Sequence, residues 1–315
     1  MPKISVVIPL YNKAPHISRA VLSVLNQTEQ DFEIIVVNDA STDGSEKIAT
    51  GISDSRIKLF NRETPGPGGH AARNMGIFHS HANIIAFLDA DDAYKPAFLE
   101  TILQLQNRYH QAGAYSTSYE IITENNEVVL PRLRAVPHDF KEGIIPDYFK
   151  AENGNSPVWT SATAIPKKVI REAGGFPEGI PRGGDIELWA KIALSYPVAF
   201  TSRICAVYYK NASNRIGHSE PTFSAERIAA LLDNAADMNL PGFVNKQSLG
   251  EFKDHLLIYS AKEFLANNEH KTARKLLQMC QSELFSKNKS RLLLMSFLPH
   301  KIAMMMLRLK HEHKS

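Results

Sequence analysis

The chain of 315 residues is long enough to bury a substantial core and to form one large domain plus a smaller one. Its hydrophobic fraction of 43% and charged fraction of 22% are those of an ordinary soluble protein, which excludes fibrous and disordered classes. A net charge of +3, without a basic face or a nucleic-acid motif, predicts no nucleic-acid partner.

Targeting signals and cysteines point to the cytoplasm. Cys205 and Cys280 are far apart in the sequence, which predicts a reducing compartment and no disulfide framework. The first apolar run is interrupted by Pro9 and does not resemble a secretory signal. Because no run reaches the roughly 18 apolar residues of a membrane span, we expect a cytoplasmic protein.

Short apolar runs rich in β-branched residues predict the strands of a sheet. They are continuously apolar rather than alternating, which is typical of parallel strands buried on both faces. Helical patterns over residues 14–27 and 41–52 separate them, so the sequence predicts an open α/β sheet flanked by helices. The predicted strands are residues 4–10, 32–39, 57–61 and 83–89.

Beyond the fourth predicted strand, the sequence predicts further strands and then helices. Residues 114–131 predict a β-hairpin around Glu124–Asn126, and residues 197–210 predict strands that pack against the sheet. After about residue 220 the pattern is helical. We therefore predict two domains, 1–220 and 221–315.

Polar residues follow three of the predicted strands. In open α/β sheets, ligands bind in the crevice outside the carboxyl ends of the strands. Each polar group by itself could be a solvated turn, but three at one edge indicate a binding site. The first strand ends in Pro9, Leu10, Tyr11 and Asn12, the second in Asn38 and Asp39, and the fourth in Asp89, Asp91 and Asp92.

The three crowded aspartates, Asp89, Asp91 and Asp92, repel one another unless a cation lies among them. Mg²⁺ and Mn²⁺ prefer oxygen ligands, usually one or two carboxylates with waters and substrate phosphates. The motif therefore predicts Mn²⁺ or Mg²⁺ together with a phosphorylated substrate.

A glycine-rich segment follows the third strand. Residues 66–71 fit the pattern G-x-G-x-x-A, but their prolines and their place after the third strand disfavour a dinucleotide site. A loop leading into a helix suits them better. Arg73, in the first turns of that helix, either pairs with phosphate or base or is a surface arginine.

A second glycine-rich loop, residues 174–184, precedes Asp185 and an amphipathic helix. Asp185 is either a helix N-cap or a carboxylate held at the loop–helix junction as a general base. Trp189, on the same helix, is interpreted as a core residue, with sugar stacking as the alternative.

In order and approximate spacing, these motifs resemble family 2 glycosyltransferases with the GT-A fold, over about residues 3–210. The resemblance implies an open, mostly parallel sheet and an inverting, metal-dependent transfer of a sugar from a nucleotide-diphosphate sugar, typically UDP-linked. The acceptor would be a hydroxyl of a glycan or lipid-linked molecule in cell-surface polysaccharide synthesis. The matching segments are residues 5–28, 32–45, 72–77, 84–92 and 183–192.

The resemblance also implies a set of donor-binding residues. Asp39 is expected to read the base, and Arg73 to lie near base and phosphate. In the D-x-D motif, Asp89 is expected at the ribose and Asp91 at the Mn²⁺ or Mg²⁺, with Asp92 extending the motif. The first nucleotide-contacting segment is matched by Pro9, Tyr11 and Asn12.

For catalysis, Asp185 matches the aspartate of the family's E-D motif, the base that deprotonates the acceptor hydroxyl. Gly184 stands where the family has glutamate, so Asp185 loses one neighbour. Glu187 is a second candidate base, which would point to a different helix face. His218 resembles a histidine that contacts metal or diphosphate in some GT-A enzymes; the alternative is a surface histidine.

Residues 286–315 mix apolar clusters with seven lysines and arginines, and Pro299 interrupts them. The segment predicts a kinked basic amphipathic helix that either lies on an anionic membrane surface or packs on the catalytic domain. Membrane contact would make the protein peripheral on the inner face and would suit a lipid-linked acceptor.

Three other classes of protein share single features with this sequence. A D-x-D phosphatase of the haloacid-dehalogenase type would have a threonine after its motif and the motif near the N-terminus. A nucleotide-sugar pyrophosphorylase would have a G-x-G-x-R-type loop after the first strand. A non-catalytic nucleotide-sugar-binding module remains open because of Gly184.

Overall fold

The chain divides by its Cα positions into two compact units, Met1–Ile216 and Gly217–Ser315. The first unit is α/β, and the described part of the second is helical. The computed structural model describes residues 1–131, 133, 135–137, 139–154, 156–213 and 225–308.

Within the described residues, the first unit contains one sheet of ten strands. The first four strands coincide with the predicted apolar runs to within two residues at each end, and the predicted hairpin is formed by β6 and β7. The strands are β1 (Ile4–Leu10), β2 (Phe32–Asn38), β3 (Ile57–Asn61), β4 (Ile84–Phe87), β5 (Ala93–Tyr94), β6 (Ala114–Ile122), β7 (Val128–Val129), β8 (Glu142–Ile144), β9 (Thr163–Pro166) and β10 (Val198–Tyr209).

Helices flank this sheet, and a short 3₁₀ helix, Thr160–Ala162, leads into β9. The α-helices of the first unit are α1 (Ile17–Leu25), α2 (Ser45–Thr50), α3 (His70–His79), α4 (Phe98–Arg108), α5 (Tyr148–Ala151), α6 (Lys167–Glu172) and α7 (Gly184–Ser195). The predicted α/β fold with flanking helices is confirmed.

The strand order is β3-β2-β1-β4-β9-β6-β10-β5, with β7 beside β6 and β8 beside β10. Strands β3, β2, β1 and β4 are parallel, β9 is antiparallel to both β4 and β6, and β10 is parallel to β6. The carboxyl ends of β1, β2, β4 and β10 therefore lie at one edge of the sheet, together with the start of β9. This is the edge at which open α/β sheets bind ligands.

Both faces of β1 are covered, which explains its continuous apolar sequence. On one face, Val6 and Ile8 belong to the same core cluster as Val21 and other residues of α1. On the other face, α3 packs so closely that a Cβ on Gly76 would lie 2.4 Å from a methyl carbon of Val7. Only glycine permits this approach of helix to strand.

The second unit, in its described part, packs helices around the long helix α9. Pro299 lies between α11 and α12, so the predicted kink is a break between two helices. Among the described residues, no helix combines the length and the apolar character needed to cross a membrane. The helices are α8 (Ala225–Ala236), α9 (Lys246–Ala266), α10 (His270–Met279), α11 (Ser286–Met295) and α12 (His300–Arg308), with a 3₁₀ turn at Glu283–Phe285.

Candidate active site

A pocket of about 310 Å³ opens at the carboxyl edge of the sheet. It brings together most of the residues that the sequence predicted, although they come from separate loops. Asn12 and Asp185 are not part of its lining. The lining includes Pro9, Tyr11, Lys13, Asp39, Arg73, Asp89, Asp91, Asp92, Trp159 and Tyr208.

Asp39 lies after β2 and is buried, with 3% of its surface exposed. Its carboxylate forms an ion pair with Arg62, which follows β3. The backbone N–H of Gly66 also donates to it, at 3.2 Å from Oδ2. The glycine-rich segment 66–69 is thereby attached to the predicted base-reading aspartate.

The residues Asp89–Asp92 that follow β4 are here called the acidic turn, and its first two carboxylates, Asp89 and Asp91, each have a cationic partner. Arg73, from the first turn of α3, donates to Oδ1 of Asp89. The Nζ of Lys13 lies 2.7 Å from Oδ2 of Asp91. These opposite charges offset the repulsion between neighbouring carboxylates.

Asp92 has a different environment from its two neighbours, because it is 1% exposed and points into the protein. Ser161 Oγ donates to its Oδ2 at 2.7 Å, and the N–H of Tyr209 donates to its Oδ1 at 3.1 Å. Burial, together with the charges of Asp91 and Asp89, raises the pKa of Asp92 well above its ordinary value. Asp92 therefore connects the acidic turn to the 3₁₀ helix and to β10.

After β1, Tyr11 and Asn12 have different roles: one lines the pocket and the other joins two loops. Tyr11 is 48% exposed and lines the pocket. Asn12 adopts a positive φ of 51°, and its Oδ1 accepts a hydrogen bond of 2.8 Å from the N–H of Thr42. The side chain of Asn12 thus ties the β1 loop to the β2 loop, where the sequence had predicted nucleotide contact.

Asp185 lies in the first turn of α7, which begins at Gly184 after Gly183 in the left-handed conformation. The interpretation of Asp185 as the N-cap is therefore wrong. Its Oδ2 accepts a hydrogen bond of 3.3 Å from Thr160 Oγ1, and its Oδ1 accepts one of 2.9 Å from the N–H of Ile186. Thr160 follows Trp159, so Asp185 is held next to the pocket lining.

The other two candidates on α7 are buried and have partners within the protein. Glu187 is 3% exposed and pairs with Lys191 at 2.9 Å. Trp189 is 3% exposed and packs against Phe87 and Phe176, which confirms its interpretation as a core residue and leaves no face for a sugar. Asp185, by contrast, is bonded to Thr160, the neighbour of the pocket residue Trp159. The remaining candidate, His218, lies outside the described residues.

The glycine at position 184 has a structural explanation in His70, the first residue of α3. A Cβ on Gly184 would lie 2.7 Å from both Cε1 and Nε2 of His70, so this imidazole occupies the space that a larger side chain would need. Burial, followed by the charge of Arg73, lowers the pKa of His70 to about 4. Neither ring nitrogen has a hydrogen-bond partner.

Sequence reasoning missed several residues of the site. The sequence signal for Lys13 is its place next to Asn12, in the loop that follows the first predicted strand. Trp159, Thr160 and Ser161 carry no such signal, since β9 brings them to the site from far along the chain. Ser161 Oγ accepts from the N–H of Asp89 at 3.0 Å and donates to Asp92, so one hydroxyl supports two aspartates.

The residues at the acidic turn fit a divalent cation that binds with a phosphorylated ligand. The available ligand atoms are carboxylate oxygens. The ammonium group of Lys13 pairs with Asp91, so this carboxylate lies where it can bind a positive charge. Within the described part of the chain, no three His, Cys, Asp or Glu side chains form a group that could hold a metal ion. Mg²⁺ and Mn²⁺ commonly complete such sparse sites with phosphates and waters.

Comparison with known proteins gives consistent results. A protein of Rickettsia bellii named as an uncharacterized glycosyltransferase is 34% identical over 199 residues, covering 61% of this chain and 26% of that protein. Glycosyltransferase GlyG of Streptococcus pneumoniae is 39% identical over 103 residues, covering 32% of this chain and 34% of its own length. The chain thus spans about a quarter to a third of each of these relatives.

Solved structures agree on the fold. S. aureus TarS 1–349, crystallised with UDP-GlcNAc, superposes with a TM-score of 0.71 at 18% identity, covering 89% of this chain and 82% of that one. The sequence model described as "Glycosyl transferase family 2" matches residues 5–171, more than half of the chain. This range includes the pocket residues from β1 to the 3₁₀ helix. The chain therefore belongs to glycosyltransferase family 2.

Proposed function

We propose that this protein transfers a sugar from a UDP-sugar to an acceptor hydroxyl, with inversion at the anomeric carbon. The observation that carries the proposal is the convergence of Asp39, Arg73, Asp89 and Asp91 on one pocket, with Asp185 held beside it by Thr160. The choice of UDP is supported by TarS, which was crystallised with UDP-GlcNAc.

In this proposal the nucleotide lies along the carboxyl edge of β2, β1 and β4. Asp39 reads the base, and Asp89 contacts the ribose. Lys13 and Arg73 can exchange their aspartate partners for diphosphate oxygens, which form strong charge-assisted hydrogen bonds. A Mn²⁺ or Mg²⁺ ion held by Asp91, when bound, would supply charge neutralisation for the leaving diphosphate.

Asp185 acts as the general base. The hydrogen bonds from Thr160 Oγ1 and the N–H of Ile186 fix the orientation of its carboxylate and leave lone pairs for an incoming hydroxyl proton. The acceptor oxygen then attacks the anomeric carbon from the face opposite the diphosphate, which gives inversion. Such proton transfer typically contributes about 10²–10⁴-fold to the rate.

A thermal-shift screen of UDP-, GDP- and TDP-sugars, each with and without Mn²⁺, tests the proposal. We expect a UDP-sugar with Mn²⁺ to raise the melting temperature most, because ligands that bind only the native state stabilise it. If no nucleotide raised the melting temperature in the presence of metal, the proposed function would be wrong.

We also propose that the acceptor is a glycan or lipid-linked molecule of the cell surface, reached at an anionic membrane. On α11 and α12 and the turn between them, Leu294, Phe297 and Met305 are 60%, 72% and 58% exposed. The same two helices carry the exposed Lys287 and Lys301. Exposed apolar side chains with basic neighbours favour an anionic lipid surface.

Flotation with anionic vesicles tests this membrane contact. A variant with Leu294, Phe297 and Met305 changed to serine should float less than the wild type. Val128→Ser, at a 61% exposed position in the first unit, is the matched control. Equal flotation of the triple variant and wild type would contradict the proposal.

A further inference from the structure

One side of the pocket is aromatic. Trp159 and Tyr208, here called the aromatic wall, both line the pocket, and their ring centroids lie 4.8 Å apart. Both are partly buried and pack on the hydrophobic core. Buried Tyr119 packs against Trp159 with a centroid distance of 4.7 Å. The wall is therefore a fixed surface, whereas the residues assigned above to the nucleotide are mainly charged.

Sheet topology places the aromatic wall on the far side of the acidic turn from Asp39. From β2 the strand order across the sheet is β1, then β4, which is followed by the acidic turn, then β9, β6 and β10. Trp159 precedes β9, and Tyr208 lies at the end of β10. A nucleotide-diphosphate sugar has its parts in the same order: base, ribose, diphosphate and sugar.

The wall is also adjacent to the candidate base. Thr160, the residue after Trp159, donates to Oδ2 of Asp185. A sugar against Trp159 would therefore have its anomeric carbon between the acidic turn and Asp185, where an acceptor hydroxyl must attack. Aromatic side chains suit this place because a pyranose ring presents C–H groups on its faces, and Trp and Tyr offer apolar contact with a polar tip.

The charges near the wall indicate what kind of sugar it accepts. Among the described residues that line the pocket, the cations are Lys13 and Arg73, and these pair with Asp91 and Asp89. With a donor bound, the proposed function assigns these two cations to the diphosphate, so a carboxylate on the sugar would face the aspartates without a cation of its own. Burying a charge without a partner is costly, so this environment disfavours an acidic sugar.

We propose that the aromatic wall formed by Trp159 and Tyr208 binds the sugar of the donor and selects an uncharged pyranose over a uronic acid. This inference rests on the proposed function, because it assumes that a nucleotide-sugar occupies the pocket. The two aromatic residues would thus determine sugar specificity, in addition to the aspartates and Arg73 that are assigned to the nucleotide.

Isothermal titration calorimetry with Mn²⁺ present tests the proposal. The ligands are UDP, UDP-glucose, UDP-N-acetylglucosamine and UDP-glucuronate, and the proteins are wild type, Trp159→Ala, Trp159→Phe and Trp189→Phe. We expect Trp159→Ala to lower the affinity for the best uncharged UDP-sugar about tenfold relative to UDP, with Trp159→Phe in between. Trp189→Phe, a change in the core, should leave this ratio unchanged.

Fluorescence supplies a second readout, since Trp159 and Trp189 are the two tryptophans of the chain. In the Trp189→Phe protein the emission comes from Trp159 alone. An uncharged UDP-sugar should change this emission more than UDP does.

The outcomes separate the two proposals. Unchanged UDP affinity in Trp159→Ala would show that the variant is folded and that the loss is specific to the sugar. An unchanged sugar-to-UDP ratio in Trp159→Ala, or binding of UDP-glucuronate as tight as that of the best uncharged donor, would overturn the role of the wall. If wild-type protein bound no UDP compound, the proposed function would fail, and this inference with it.

Discussion

The two sides of the pocket are stabilised by different forces. On the acidic side, Asp39 and Asp91 are each held by a cation brought from another loop. On the aromatic side, Trp159 is held by packing between Tyr119 and Tyr208. An ion pair can open and re-form when a charged ligand enters, whereas a packed ring keeps its place. The acidic side is thus suited to exchange its ion-pair partners for a charged ligand. The aromatic side is suited to distinguish ligands by their shape.

The largest expected effect concerns Asp185, which Thr160 holds beside the pocket. Asp185→Asn should lower Mn²⁺-dependent hydrolysis of the UDP-sugar donor by about 10²–10⁴-fold, because the amide cannot accept a proton. UDP binding should be unchanged. Glu187→Gln, at the buried position paired with Lys191, is the control for the choice of base. Slow wild-type hydrolysis that Asp185→Asn leaves unaffected would favour a non-catalytic binding module.

A pH effect on stability should come from His70, next to Arg73 on the acidic side. Its pKa is lowered from 6.5 to about 4, so the unfolded chain binds this proton more readily and stability falls as the pH decreases from about 6.5 to 4. The shift corresponds to about 3 kcal/mol at most. Melting temperatures between pH 7 and pH 4 should therefore decrease less in His70→Gln than in wild type. Parallel curves would contradict a buried neutral imidazole.

The contact between Gly184 and His70 predicts a smaller loss of stability. Gly184→Glu restores the residue typical of the family but places a Cβ 2.7 Å from the imidazole, and overpacking of this kind costs about 1–3 kcal/mol. Removing the ring in Gly184→Glu/His70→Ser should recover part of this loss. Gly250→Glu, where a Cβ meets nothing within 4 Å, is the control. The contact would be refuted by a Gly184→Glu protein as stable as wild type.

The smallest effect should be seen at the ion pair of Lys13 with Asp91. Lys13→Gln removes the cation that competes with a metal. The pair is partly buried, with the side chains 13% and 15% exposed. If the pair is worth about 1 kcal/mol, Mn²⁺ without nucleotide should bind up to about fivefold more tightly. Lys47→Gln, on α2 and outside the pocket lining, removes the same charge elsewhere. Equal Mn²⁺ affinity in wild type and Lys13→Gln would argue against competition at Asp91.

Sequence reasoning was strongest where a residue's role depends on its near neighbours. The apolar runs predicted β1 to β4, and the polar residues after them predicted Asp39 and the acidic turn. It was weaker for the segment before β9, because Trp159, Thr160 and Ser161 reach the site only through pairing of β9 with β4 and β6. It also could not anticipate that the Asn12 side chain would hold Thr42, since that contact depends on how two loops meet.

Three consecutive residues before β9 contribute to three parts of the site: Trp159 to the aromatic wall, Thr160 to the position of the candidate base Asp185, and Ser161 to the acidic turn. The second and third act through their hydroxyl groups, which do not depend on the side chain at position 159. Under the proposed role of the aromatic wall, substitution of Trp159 should alter which sugar is accepted while the alignment of Asp185 and the acidic turn persists. For protein engineering, position 159 would then be a single site at which donor choice is changed separately from chemistry.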